Sequence, residues 1–432
     1  ARGLASRVPW PVARGPWPGG GAPEADRGPV PGVGASDLPG YPPRMSLYEA
    51  PDFLLTDDLL TEEERLVRDT VRSWVTDRYM PLVEAAYREG RFTNELVPEL
   101  GELGVLGGNL DYADFPRLNS VAYGLVMQEL ERGDSGLRSF VSVQGALVMY
   151  PIWRYGSDEQ KARWLPAMHA GKAIGCFGLT EPDHGSDPGG METKAVKDGT
   201  GFVLNGAKMW ITNGDLADVA VVWAKLDGVV RGFLVERGLK GFSTKEQKRK
   251  HSLRASVTSE LVMQDVHLPG TAMLPKASGL SGPLSCLNQA RYGIAWGVGG
   301  SAMACYDEVR QYGATRVQFG KPIAGFQLYQ TKLAHMLTEI TKAQLMVLQL
   351  GRMKDAGKVT PQQISMAKRN GCHHALEIAR MARDMLGANG ITDEYQTMRH
   401  MCNLESVKTY EGTHDIHTLI LGMHITGLDA FR

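Results

Sequence analysis

What the chain has little of narrows its function first. No run of apolar residues approaches the ~18 needed to span a bilayer as a helix, so membrane insertion is not expected. Positive charge is not in surplus. Lys and Arg total 47 against 48 acidic residues, a formal net charge of −1, which leaves no basic face to attract nucleic acid. Cysteine is scarce: Cys176, Cys286, Cys305, Cys372 and Cys402 are odd in number, scattered, and form no CxxC pair. That pattern excludes a disulfide framework and a zinc site, and suits a reducing compartment. No Walker A motif, HExxH or GxSxG occurs. Gly297-Val298-Gly299-Gly300 lies inside a helical pattern, not after a strand, so these glycines are read as permitting close helix packing. His414 and His417 are three apart with no third ligand spaced to join them, so they are read as cap and packing residues and no metal is expected.

What is present describes an ordinary globular chain with an unusual start. Its 432 residues are too many for one core, so two or three units are expected, and 43% hydrophobic with 22% charged residues is typical of such proteins. Ten of the 23 prolines precede Met45. This stretch lacks the apolar surface to offset its ordering entropy and is expected to be disordered. Pro16 to Gly21 opposes the amphipathic helix of a transit peptide, and Glu24, Asp26 and Asp37 are acids such a peptide avoids. Residues 1–44 are therefore read as a disordered or non-native extension, with Met45 the expected start.

Periodicity divides the rest. Thr61 followed by Glu62, Glu63 and Glu64 reads as an N-cap with an acidic first turn. Leu66, Val67, Val71, Trp74 and Val75 then recur at helical spacing, as do stretches at 96–103, 120–132 and 158–170. An N-terminal α-helical domain is expected over 45–174. Short strand-like runs follow at Phe202 to Leu204, Met209 to Ile211, Val219 to Trp223, Gly232 to Val235 and Leu261 to Met263, separated by turn pairs. They predict a middle antiparallel β domain over 175–283. Helical spacing returns at about 285–315, 325–355, 361–387 and 403–425, predicting a C-terminal four-helix bundle over 284–432. The fold class is α+β, multi-domain, in the order helical, β, helical.

The segment richest in chemistry is Thr409-Tyr410-Glu411-Gly412-Thr413-His414-Asp415-Ile416, a carboxylate beside a glycine just before an apolar helix. Taken alone, Glu411 is an acid stabilised by a helix N-terminus. The whole string resembles the catalytic segment of acyl-CoA dehydrogenases. Four further stretches carry the same resemblance in order: Phe177 to Pro182 with Gly185-Ser186-Asp187, Trp210 to Asn213, Arg316 to Gly320 with Gln327, and Leu386 to Gly390. Ala388 stands where that glycine loop usually has glycine.

The resemblance implies an FAD enzyme in which Glu411 takes the α-proton of an acyl thioester. It assigns Phe177, Leu179, Thr180, Gly185 and Ser186 to the flavin-side loop, with Thr180 bonding the isoalloxazine and Ser186 near the ligand too. Trp210, Ile211 and Thr212 line the opposite flavin face. Arg316, Phe319 and Gln327 form an arm that reaches a neighbouring subunit's cofactor, and Leu386, Gly387, Asn389, Gly390 and Thr413 complete the cofactor set. The residue types suit these roles, since a flavin wants hydroxyl and N–H donors at its ring and a pyrophosphate wants a guanidinium. A thioester base wants a water-poor pocket that raises its pKa.

The choice of substrate rests on Asp134 to Gln144. Acyl pockets are mostly apolar, yet Arg138 sits here, as in glutaryl-CoA dehydrogenases, where the resemblance gives Arg138 and Ser142 the substrate's distal carboxylate. Ser139, Glu131, Tyr410, Gly412 and Arg291 join them as substrate-side residues, Arg291 near the thioester arm. A structural salt bridge from Arg138 to Glu131 or Asp134 is the plain alternative. The implied reaction is oxidative decarboxylation of glutaryl-CoA to crotonyl-CoA and carbon dioxide, a step of lysine and tryptophan degradation. Electrons would pass to an electron-transfer flavoprotein, and the enzyme would be a homotetramer in bacterial cytoplasm or, alternatively, the mitochondrial matrix. Rival readings are a dehydrogenase of another short- or branched-chain acyl-CoA, an acyl-CoA oxidase, and a flavin-containing DNA-associated protein of the same fold.

Overall fold

A computed structural model describes residues 50–431, so the extension expected at 1–44 lies outside it. The first helix begins where its capping residues place it. Thr61 accepts a hydrogen bond from the Glu64 N–H (3.2 Å), and the Glu64 carboxylate accepts one from the Thr61 N–H (2.9 Å). This is the reciprocal cap that satisfies two orphan donors. Helix α1 (Glu62–Trp74) passes through a π-helical turn into α2 (Met80–Glu89), followed by α3 (Val97–Glu102) and α4 (Ser120–Gly133). Then come α5 (Ser135–Ser142), a second π-helical stretch (Val143–Met149), α6 (Tyr150–Tyr155) and α7 (Asp158–His169). The stretch from Ser135 to Met149 escaped the periodicity for a physical reason. Every residue from Ser135 to Met149 is buried, so there is no wet face to mark a period.

The middle part is one seven-stranded sheet: β1 (Gly175–Gly178), β2 (Lys194–Asp198), β3 (Gly201–Thr212), β4 (Val219–Leu226), β5 (Val229–Glu236), β6 (Phe242–Glu246) and β7 (Thr258–Leu268). It departs from the antiparallel expectation at two pairings. β1 and β2 both run parallel to β4, Gly175 opposite Val219 and Lys194 opposite Lys225. Parallel neighbours need a long crossover, which turn-forming pairs do not reveal. The two runs read at 202–204 and 209–211 are one strand. The Asn205-Gly206 pair between them is a register shift against β7, where Gly206 (φ +145) is pressed so close that a Cβ would lie 2.4 Å from the Thr193 hydroxyl.

The C-terminal helices are α8 (Ser281–Thr315), α9 (Gln327–Asp355), α10 (Pro361–Met385), α11 (Thr397–Thr409) and α12 (His414–Thr426), with a hairpin of β8 (Val317–Gln318) and β9 (Lys321–Pro322) between α8 and α9. The stretch read as one helix over 403–425 is therefore two. It breaks at Tyr410–Thr413, where Glu411 (φ +53) and Gly412 (φ +90) leave helical geometry. The glycines of α8 act in packing. A Cβ on Gly300 would lie 1.9 Å from the Gln128 carbonyl of α4, and one on Gly297 would lie 2.3 Å from the Glu131 carboxylate. Among the described residues all five cysteines are free, no group of His, Cys, Asp and Glu could hold a metal, and no helix is long and apolar enough to cross a membrane.

Candidate active site

The α11–α12 break sets buried Glu411 Oε2 among groups of α4, α5, α8 and α10. Three cations converge on it. The Arg291 Nε of α8 donates to the Glu411 carbonyl (2.8 Å). The Lys368 Nζ of α10 donates to the carbonyls of Tyr410 (2.5 Å) and Gly412 (2.7 Å). Arg138 of α5, fully buried, reaches the Tyr410 hydroxyl through Nη2. Thr413 caps α12, accepting from the Ile416 N–H (3.2 Å). Gly412 is the residue the crowding demands, since a Cβ there would sit 3.0 Å from His417 Nε2 and 3.2 Å from Arg291 Nη2. Glu411 as a residue keeps some exposure, but its Oε2 is buried with no hydrogen-bond partner among the described residues.

Electrostatics follow from burial. Desolvation pushes the Glu411 carboxyl above its ordinary value, and Lys368, Arg138 and Arg291 pull it part of the way back. Burial opposes the Arg138 charge, yet Glu131 and Tyr410 outweigh it and hold the guanidinium above its usual value. His417, buried and bonded through Nδ1 to the Ser365 hydroxyl (3.0 Å), is driven down to about 3, so its ring is neutral.

The structure settles part of the Arg138 alternative. Its Nε donates to Glu131 (2.5 Å), itself held by the Ser135 hydroxyl (2.9 Å), whereas Asp134 pairs with Arg399 (3.0 Å) and Asn403 (2.9 Å). The salt bridge exists, but it does not exhaust the guanidinium. Arg138 Nη1 is buried with no partner among the described residues, and so is the hydroxyl of Ser142. Ser142 lies four residues on along the same helix, hence on the same face. Ser139 is buried next to Arg138, but the helical rotation of ~100° per residue turns its side chain away. Sequence reading missed Tyr123, whose buried hydroxyl has no partner among the described residues and feels both Arg138 and Glu411.

A second group lies along β1 and β3. Phe177 and Leu179 are buried and Thr180 is half-buried. The Met209 N–H turns from the β7 ladder to donate to the Thr180 carbonyl (2.9 Å), just where the β3–β7 register slips between Lys208 and Ile211. Trp210 is thereby thrown out at φ +63 with 62% of its surface exposed, while Ile211 is buried and Thr212 half-buried. The device beneath was not anticipated. Lys208, with no exposed surface, donates to Glu181 (2.8 Å) and the Leu179 carbonyl (3.0 Å), and Glu181 also accepts from the N–H groups of Glu192 (2.6 Å) and Thr193 (3.0 Å). A lysine inside the strand pattern at 201–212 is the signal that could have found it. Gly185 and Ser186 sit on an exposed turn, where a Cβ on Gly185 would meet nothing.

The third group stands apart from the other two. Arg316, Phe319 and Gln327 are exposed, Phe319 at 94%. Leu386 to Gly390 form a short turn after α10, with Gly387 exposed, Gly390 buried and Asn389 donating to the hydroxyls of Tyr312 (3.2 Å) and Tyr395 (3.4 Å). Among the described residues no hydrogen bond or ion pair joins the Arg316 side chain to the first two groups.

The helical–sheet–helical fold thus carries a strained acidic break and, apart from it, an exposed indole beside a hydroxyl-bearing loop. Family models for the N-terminal, middle and C-terminal domains of acyl-CoA dehydrogenases match residues 61–172, 176–266 and 277–426. The chain belongs to the acyl-CoA dehydrogenase family, and its cofactor is FAD. A crystal structure of a glutaryl-CoA dehydrogenase from Mycobacterium smegmatis in complex with FADH2 is 54% identical, with a TM-score of 0.87, covering 87% of this chain and 98% of that one. The mitochondrial short-chain specific acyl-CoA dehydrogenase of Bos taurus is 32% identical over 380 residues, 86% of this chain and 92% of its own. A chain from the structure of the electron transferring flavoprotein of Acidaminococcus fermentans is 30% identical, with a TM-score of 0.80, covering 85% of this chain and 98% of that one. The residues present fit FAD: an exposed indole and a half-buried threonine suit a flat ring, and an exposed arginine arm suits a pyrophosphate.

Proposed function

We propose that the enzyme oxidises and decarboxylates glutaryl-CoA to crotonyl-CoA and carbon dioxide, with Glu411 as the base that takes the α-proton. The observation that carries the substrate is the pair of buried, unpartnered donors at Arg138 Nη1 and the Ser142 hydroxyl, in the pocket that Glu411 enters. A buried charged donor left unpaired is costly, and a second carboxylate at the far end of the acyl chain satisfies both groups. The 54% identity to a glutaryl-CoA dehydrogenase, against 32% to a short-chain relative, supports the same substrate. Glu411 suits proton abstraction because burial raises its carboxyl toward neutrality while three cations keep it ionisable.

Thr180, Trp210, Ile211 and Thr212 would hold the isoalloxazine, with Phe177, Leu179, Gly185 and Ser186 on the loop side. Arg316, Phe319, Gln327, the turn from Leu386 to Gly390, and Thr413 would complete the cofactor's hold across a subunit boundary. The bound flavin supplies the acceptor for the β-hydride. Arg138 and Ser142 orient the distal carboxylate, while Glu131 and Tyr410 fix Arg138. An electron-transfer flavoprotein is the proposed electron partner, the homotetramer the proposed assembly and the bacterial cytoplasm the proposed compartment, supported by the bacterial relative and the unpaired cysteines.

The test is turnover of purified FAD-loaded protein with glutaryl-CoA and an artificial acceptor, with products resolved by mass. Crotonyl-CoA with equimolar carbon dioxide is expected. Glutaconyl-CoA alone would remove decarboxylation. A preference for butyryl-CoA would favour the reading in which Glu131 is the only carboxylate Arg138 serves.

A further inference from the structure

Lys368 has so far figured only as one of the three cations around Glu411. It occupies the apolar face of α10, with Ile364 and Cys372 buried one turn to either side. It is 1% exposed, and no carboxylate lies within ion-pair distance of it among the described residues. A buried ammonium without a counter-ion is expensive, so something must compensate it. The compensation comes from the α11–α12 break: Nζ donates to the carbonyls of Tyr410 (2.5 Å) and Gly412 (2.7 Å), with the Glu411 carbonyl further off (3.5 Å). These carbonyls flank the one residue of the break whose side chain has chemistry to perform.

We propose that Lys368 is a positioning residue for the base: its three N–H donors hold the break in the conformation that aims Glu411, and its charge favours the ionised, proton-accepting carboxylate. The inference rests on Glu411 being the base.

The geometry supports both halves. Glu411 sits at φ +53, a left-handed conformation that a non-glycine residue holds only when its surroundings over-determine it. Lys368 from one side and Arg291 from the other clamp all three carbonyls of Tyr410, Glu411 and Gly412. A last-turn cation also suits the C-terminal end of α11. The charged and titratable groups facing this site are Arg291 from α8, Arg138 from α5, Tyr123 from α4, Cys372 one turn along α10, Tyr410 and Glu411 in the break, and His417 from α12. Arg138 is committed to Glu131 and Tyr410, and His417 is neutral. Lys368, Arg138 and Arg291 all act on the carboxylate, and of the three Lys368 acts most strongly. Burial draws Lys368 down to about 8, so it still carries its charge at neutral pH.

The test reads proton abstraction without redox. Methoxyacetyl-CoA has an α-CH2 but an oxygen at the β position, so it exchanges α-protons with D2O and cannot lose a hydride. FAD-loaded wild type, Lys368→Arg, Lys368→Gln and Glu411→Gln are compared by mass spectrometry across pH, with FAD content and melting temperature measured alongside. Gln keeps donors for the carbonyls and loses the charge. Its acid limb should move to higher pH by about one unit, and exchange on the acid side should fall about tenfold. Arg should keep the wild-type limb. A Gln limb superimposed on wild type overturns the inference, whatever happens to stability. Failure of both Lys368 variants to load FAD also overturns it, because the role would then be structural. If Glu411→Gln exchanges at the wild-type rate, the assignment of the base itself fails, and that result is separate from either outcome at Lys368.

Discussion

At Arg138 the chain buries a guanidinium that is half satisfied by its own protein. Glu131 and the Tyr410 hydroxyl take Nε and Nη2, leaving Nη1. A charge-assisted bond to a substrate carboxylate contributes on the order of 1.5–3 kcal/mol, so Arg138→Ala should lower kcat/KM for glutaryl-CoA about ten- to a hundredfold. It also strands Glu131, which harms folding. The informative quantity is therefore the ratio of kcat/KM for glutaryl-CoA to that for valeryl-CoA, because a folding defect lowers both together. An unchanged ratio would return Arg138 to a purely structural role. At Glu411, substitution by Gln should retain FAD and bind substrate yet leave the flavin oxidised in anaerobic mixing. The carboxyl is raised by burial above 4.5, and proton abstraction needs its ionised form. The rate of flavin bleaching in wild type should thus rise with pH through a limb above 4.5, and stopped-flow absorbance checks it.

At the scale of elements, the site depends on how closely α4, α5 and α8 approach. Gly297 lets the Glu131–Arg138 pair pass beneath α8, and Gly300 lets α8 touch the backbone of α4. A Cβ at 1.9 Å from a carbonyl oxygen cannot be absorbed by a rotamer change. Gly300→Ala should therefore destabilise the fold by about 1–3 kcal/mol, seen as a lower melting temperature. Gly297→Ala meets the Glu131 carboxylate tip and the Arg138 stem instead of backbone. It should cost less stability but raise KM for glutaryl-CoA by displacing Glu131. Equal effects of the two substitutions on melting and on KM would contradict this division. In the sheet, Lys208 joins β3 to the loop after β1 through Glu181 and the Leu179 carbonyl. Lys208→Met should loosen that loop and lower FAD occupancy after gel filtration, measured by the absorbance ratio of flavin to protein.

For the molecule as a whole, the exposed arm sets the expectation. Val317, Phe319 and Leu328 present large apolar side chains to solvent on the stretch that carries Arg316. A neighbour's cofactor site would cover them, and closed symmetry would make the contact reciprocal. Light scattering of the FAD-loaded protein should give the mass of four chains. Phe319→Asp should yield smaller species that lose FAD together with their partners. A monomer with full flavin occupancy would refute the arm's assignment.

The sequence alone carried the order of the three parts, the cap at Thr61, the packing role of the α8 glycines and the segment around Glu411, because each is written in local spacing or in a contiguous motif. It did not reveal the parallel pairings of β4, since a crossover leaves no turn signature. Nor did it reveal α5 and the π-helical stretch after it, since a fully buried helix has no amphipathic period. The break between α11 and α12 was hidden inside an otherwise continuous apolar pattern. What Arg138 does was open in sequence, because an arginine reads the same whether it is fully paired or not. Only the placement of α5 against α4 shows one nitrogen taken by Glu131 and another left over among the described residues. The partners of Lys368 and Lys208 were hidden for the same reason, even though a lysine inside the strand pattern at 201–212 is itself a signal. Each is a charge on an apolar face, and what it holds lies 42 or 27 residues away, so its role exists only once the chain has folded those carbonyls and carboxylates against it.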